Sequence, residues 1–207
     1  MDARQYAPAT QRNREPIWKV LAAVLQPNSN VLEIASGTGE HAVYFASKLK
    51  SGRWTPSEIN PAARESIIAW RNTSRVDHFD LPLSIDVTQK NWWQQVIKSN
   101  INVNAIVNIN MIHISPWQAC LGLLEGAGNI LPSGGILYLY GPYRRNGEHT
   151  APSNARFDTS LRDRNSAWGI RDLEAVEKAA ASWNLKLEKV LEMPANNLSV
   201  IFKSLKL

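Results

Sequence analysis

Cysteine is nearly absent from this 207-residue chain: Cys120 stands alone. That excludes an internal disulfide and leaves no thiol pair for a zinc site. Cys120 falls in Trp117-Gln-Ala-Cys-Leu, a helical pattern in which it reads as a small buried hydrophobe. Histidine is also scarce, and the four present are scattered without metal-ligand spacing. No apolar run approaches the roughly 18 residues that span a bilayer. Met1 to Glu15 is polar and lacks the apolar core of a signal peptide. These absences predict a soluble protein of a reducing compartment, with the cytoplasm as default and no membrane partner. Blocks of like charge are missing too. The 23 basic and 18 acidic residues leave +5, spread along the chain, which permits an anionic partner but argues against nucleic acid. There is no internal repeat and no low-complexity tract.

What is present is an alternation of helical and extended patterns. Pro16 to Leu25 carries Ile17, Val20, Leu21 and Val24 at helical spacing. Val31-Leu-Glu-Ile-Ala35 is a short apolar strand, and Gly37 and Gly39 lead into a helix over His41 to Leu49. Strands follow at Arg53–Glu58, Leu83–Asp86, Ala105–Asn110 and Ile136–Tyr140. Helices are predicted over Ala62–Trp70, Asn91–Ile97 and Pro116–Leu131. Residues 143–169 are polar, Arg- and Asn-rich and poorly periodic, which predicts a loop-rich cover. A helix from Asp172 to Trp183 precedes two strands, Leu185–Leu191 and Leu198–Phe202, joined by a Pro194-Ala-Asn-Asn turn. Five strand–helix alternations imply a parallel sheet with helices on both faces. The expectation is therefore one α/β domain over 1–207, Rossmann-like, with seven mostly parallel strands and an antiparallel C-terminal hairpin. In such sheets ligands sit beyond the carboxyl ends of the strands.

The segment Val31-Leu-Glu-Ile-Ala-Ser-Gly-Thr-Gly-Glu-His41 resembles the first motif of S-adenosylmethionine (SAM) dependent methyltransferases. A tight turn from strand to helix, free of side chains, lets a ligand approach the backbone. The resemblance assigns Ala35, Ser36, Gly37, Thr38 and Gly39 to this turn. Where the family usually has glycine this chain has Ala35, a departure expected to be sterically mild. Glu33 would accept from the ammonium of the methionine moiety. Glu58, followed by Ile59, can take both ribose hydroxyls, or it is a solvated turn acid. Asp86 can accept from the adenine amino group with Val87 flanking the ring, or it caps the following helix. Asn108 and Asn110, from the fourth strand, complete the expected cofactor set. A dinucleotide reading stays open, because Gly37-Thr-Gly-Glu-His-Ala42 also fits G-x-G-x-x-A and Glu58 lies 19 residues beyond Gly39. The acid at Glu33 and the third acid at Asp86 favour SAM. His41 reads as a helix-surface or packing residue.

Further strings are Pro8-Ala-Thr-Gln-Arg-Asn-Arg-Glu-Pro16, Trp54-Thr-Pro-Ser-Glu58, Asn108-Ile-Asn-Met-Ile-His-Ile-Ser-Pro-Trp117, Tyr140-Gly-Pro-Tyr143 and Trp168-Gly-Ile-Arg-Asp172. Across nearly the whole chain they resemble the methyltransferase-like 26 family, itself grouped by likeness as a domain of unknown function. The resemblance implies a SAM-type fold and leaves the activity open. A methyl transfer needs a base only if the acceptor must lose a proton. His113 is the candidate, or it is a histidine bonded to a loop carbonyl. Tyr143 is the second catalytic candidate; with Arg144 and Arg156, which clamp an anion there or are solvated loop arginines, it is expected at the acceptor pocket. Arg12 and Asn13, in an N-terminal lid over 1–15, are expected to fold over SAM or to fray. Three functions remain in view: a methyltransferase with a small-molecule acceptor, a non-catalytic SAM- or nucleotide-binding module, and a nicotinamide-dependent oxidoreductase.

Overall fold

Apolar side chains alternate along the central strands, so each strand feeds two cores. In β1 (Asn30–Ile34), Val31 joins one buried cluster while Leu32 and Ile34 join the other. The computed structural model describes residues 2–206; Met1 and Leu207, the ends of the expected domain, lie outside the described residues. The main sheet adds β2 (Arg53–Pro56), β3 (Ala105–Ile109), β4 (Ile136–Gly141), β8 (Leu185–Met193) and β9 (Asn197–Ser204). Its order is β2-β1-β3-β4-β9-β8. The first four strands are parallel, and β9 runs antiparallel to both β4 and β8. Helices α1 (Pro8–Val24), α2 (Glu40–Ala46) and α3 (Pro61–Ser74) contribute to the core on one face. Helices α4 (Trp93–Lys98), α5 (Trp117–Ile130) and α7 (Leu173–Ala181) contribute to the other. Both faces are thus covered, as near-continuous apolar strands such as β4 require. Among the described residues no helix is long and apolar enough to cross a membrane.

The expected α/β architecture holds, with three local differences. The strand predicted at Leu83–Asp86 is not a strand. It runs beside β2 through isolated bridges, Trp54 with Phe79 and Ser57 with Leu83. The Leu83 amide donates to the Pro56 carbonyl and the Glu58 amide to the Leu83 carbonyl, each at 2.9 Å. Pro82 has no amide to extend that ladder, and Leu81 is exposed. The main sheet therefore has six strands rather than seven. Second, α1 begins at Pro8 and carries Pro16 in its interior, so most of the expected lid is helix. Third, residues 143–169 are ordered: β5 (Tyr143–Arg145) and β6 (Glu148–His149) join β7 (Arg171–Asp172) in a small sheet, and α6 (Pro152–Arg164) packs beside it. The only buried side chains of α6 are Asn154, Asp158 and Leu161. A helix seated on polar groups has no apolar period to betray it.

Candidate functional site

Strand order reverses at β1, with β2 on one side and β3 on the other, and a cavity of about 530 Å³ opens beyond their carboxyl ends. The turn from β1 into α2 forms its floor. Ala35, Gly37 and Gly39 all take positive φ, at 58°, 55° and 85°. A Cβ at Gly39 would lie 2.8 Å from the Ile67 side chain, so close packing of α3 requires glycine there. A Cβ at Gly37 would meet nothing within 4 Å, because Gly37 faces the cavity. Ala35 corrects the expectation of a mild departure: its Cβ sits in the left-handed region, at a cost of about 1–2 kcal/mol.

Three carboxylates reach this cavity from different segments: Glu33 from β1, Glu58 after β2, and Asp86 after the edge segment. Glu33 is buried, and its Oε2 accepts from Trp54 Nε1 and Ser36 Oγ, both at 3.0 Å. Oε1 has no hydrogen-bond partner among the described residues. Burial pushes the Glu33 carboxyl up to about 7, against the opposing bonds from Trp54 and Ser36. Glu58 is buried rather than a solvated turn acid. Its Oε2 accepts from the Gly37 amide and its Oε1 from the Asn60 amide, each at 2.9 Å, so it ties the glycine turn to the start of α3. Asp86 accepts from the Thr88 amide and hydroxyl and from Gln89. Burial alone would raise its carboxyl, but those bonds outweigh it and hold it below the ordinary range. It caps a turn, not a helix, since α4 starts only at Trp93.

Of the other expected cofactor residues, Ala35, Ser36, Gly37, Thr38, Ile59, Val87 and Asn110 line the cavity. Gly39 does not, being packed on Ile67. Asn108 does not either: its Nδ2 donates to the Ile34 carbonyl at 2.9 Å and stitches β3 to β1 inside the sheet. The acceptor-side expectations are corrected. His113 is buried and lines no part of the cavity. Its ring packs on Gly141, where a Cβ would stand 3.1 Å from Nδ1, and edge-on against Phe157. Tyr143 is fully buried in the α5/α7 core with no partner for its hydroxyl among the described residues, and burial raises its phenol well above the ordinary value. Arg144 lies on β5 between His149 and Asp172 in register, away from the cavity. Arg156 is exposed on α6 and Arg12 on α1. Asn13 reaches His41 instead, Oδ1 to Nε2 at 2.7 Å.

His41, expected to be a helix-surface or packing residue, does pack, and it also reaches the candidate site. It lines the cavity, stacks on Phe45 at 5.5 Å, and is pushed down to about 4 by burial and by Arg14. Ala7, Ala9 and Thr10, within the expected lid segment over 1–15, wall the same space. Helical spacing alone places His41 one turn behind the glycines. Only the packing of α1 across α2 makes that position an inner wall.

Several solved structures share this fold. An O-methyltransferase family protein from Burkholderia thailandensis superposes with a TM-score of 0.78 at 10% identity, over 96% of this chain and 58% of that one. Human N-acetylserotonin methyltransferase in complex with SAM gives 0.74 at 12% identity, over 95% of this chain and 52% of that one. The chain thus spans little more than half the length of these two proteins. A putative sarcosine dimethylglycine methyltransferase from Galdieria sulphuraria gives 0.70 at 14% identity, over 99% and 94%. At such identities the likeness is one of fold, here the methyltransferase fold. The family model described as "Protein of unknown function (DUF938)" matches residues 4–204, and this chain belongs to that family.

Proposed function

We propose that this protein is a SAM-dependent methyltransferase acting on a small-molecule acceptor, and that within its family it is of the methyltransferase-like 26 type. The observation that carries the reading is the convergence of Glu33, Glu58 and Asp86 on one cavity beside a glycine turn. The residues fit that group. Glu33 Oε1 is free for an ammonium. Each Glu58 oxygen keeps acceptor capacity for a ribose hydroxyl after its amide bond. Asp86 stands where an adenine amino group can donate, with the apolar flanks of Ile59 and Val87 beside it. The volume suits a ligand of nucleoside size.

When bound, SAM supplies an electrophilic methyl group on a sulfonium. The protein's part is to hold that group, align the acceptor and exclude water. Asn110 and neutral His41, with Thr10 and Ser115, are polar cavity residues outside the three acids' segments that can orient an acceptor. Calorimetry tests the reading: SAM and S-adenosylhomocysteine should bind and NAD should not. Tighter binding of NAD would transfer the cavity to a nicotinamide cofactor. The seclusion of His113 from the cavity favours a second reading, a SAM-binding module without catalysis. Turnover of methyl-labelled SAM in cell extract decides between the two, with label transfer expected for the enzyme.

A further inference from the structure

Residues 2–15 supply part of the cavity wall, through Ala7, Ala9 and Thr10, and several of the bonds that hold them end beside the glycine turn. The Gln5 amide donates to Ser66 Oγ at 2.8 Å, and Ser66 Oγ donates in turn to the Thr38 carbonyl at 2.7 Å. The Ala7 amide donates to Glu40 Oε2 at 2.8 Å. Trp70 Nε1 donates to the Gln5 carbonyl at 3.2 Å, and Tyr6 meets the Trp70 ring edge-on at 5.1 Å. Ala7, Ala9 and Thr10 form cavity wall. The segment therefore walls one side of the site while fastened to the elements that build it.

That fastening is light. Thr10 alone is buried between residues 2 and 15, whereas Ile17 and Leu21, just beyond, are fully buried. Between the two halves stands Pro16, which has no amide to bond the Arg12 carbonyl, so the helix is weakest there. Lifting the first half exposes little apolar surface and breaks, besides the bonds above, those of Asn13 with His41, Tyr44 with Glu15 and Gln5 Nε2 with the Ala62 carbonyl, each of small net worth.

We propose that residues 2–15 are a gate over the cavity, hinged at Pro16 and latched by Ser66, Trp70 and Glu40, and that the cofactor enters and leaves only when the latch opens. The gate rests on the SAM reading of the cavity. Its test uses S-adenosylhomocysteine, stopped-flow tryptophan fluorescence and amide hydrogen exchange on the intact chain. The ligand should slow exchange at the Gln5 and Ala7 amides. Ser66→Ala and Trp70→Phe should each raise both association and dissociation rates by about 3- to 10-fold, while Kd moves less than either rate. Trp70→Phe keeps an aromatic ring beside Tyr6, removes the Nε1 donor to Gln5, and lies outside the cavity lining, so it separates the latch from the site. Unchanged rates in variants that melt like the parent overturn the gate and leave the ligand assignment standing. Faster release without faster entry also overturns it, because that marks a loosened site. No binding by the parent chain overturns the SAM reading and the gate together.

Discussion

Glu33 faces opposite demands as a buried carboxylate and as a partner for a cation. With its folded pKa near 7 and an ordinary value of 4.5, the folded state holds a proton that the unfolded chain gives up between those values. Glu33 therefore lowers the stability of the free protein as pH rises from 4.5 to 7, and the loss is complete above 7. Cation binding has the reverse sign, because the ionised form is the one that attracts an ammonium. SAM affinity should fall by up to about tenfold per pH unit below 7 and level off above it, as titration calorimetry across pH 5.5–8.5 would show. Glu33→Gln should flatten that profile and weaken binding. A parent profile that is flat across the range would remove Glu33 from contact with the ammonium. Glu58 makes a different prediction. Glu58→Ala removes both the acceptor for a ribose and the tether on the Gly37 amide. SAM affinity should drop by about 2–4 kcal/mol, and an unchanged dissociation constant in a folded variant would take Glu58 out of the site.

At the scale of elements, the β1–α2 turn stores strain in a residue that glycine would relieve. Ala35 sits at φ 58°, and replacing it with glycine removes about 1–2 kcal/mol of steric cost. It also restores about 0.4–1 kcal/mol of unfolded-state entropy that opposes folding. Ala35→Gly should therefore raise stability by about 0.5–1 kcal/mol in chemical denaturation, and a lower midpoint would show that the Cβ makes compensating contacts. Glu58 and Ser36 brace the same turn: the Ser36 amide donates to the Ser57 carbonyl, and the Ser57 hydroxyl donates to the Glu33 carbonyl. The turn is held by the two strand ends it joins, which keeps the Gly37 amide side open to the cavity.

Across the whole molecule, His113 stands at a joint between units of the fold. Its ring fills the space between Gly141 at the end of β4 and Phe157 on α6, and its carbonyl accepts from the Gly169 amide at 3.0 Å. Arg171 of the small sheet donates to the neighbouring Ile112 and Ser115 carbonyls. Main sheet, small sheet and α6 thus meet at one loop. Burial, with Arg171 adding repulsion, pushes His113 down to about 4, so it is neutral at physiological pH. His113→Ala should cost about 2–4 kcal/mol of stability by opening a cavity at that joint, with SAM affinity changed little. Loss of turnover per folded molecule at full stability would instead return His113 to the chemistry.

The alternation of helix and strand, the glycine turn and the acids after three extended segments were legible in the sequence because each is a local property. Apolar period, turn chemistry and capping act within a few residues. The edge segment at Leu83 could be placed but not classified, since ladder pairing depends on what Pro82 denies it. Which polar side chains reach the cavity was decided only by tertiary structure. Asn108 and Asn110 are two residues apart, yet one turns into the sheet and the other, at φ 58°, turns out to the cavity as the chain leaves β3. Tyr143 and Arg144 point to opposite faces because strand side chains alternate, and one residue of phase separates core from surface. His41 enters the wall, and His113 leaves it, because α1 and α6 pack where no local pattern in the chain announces them.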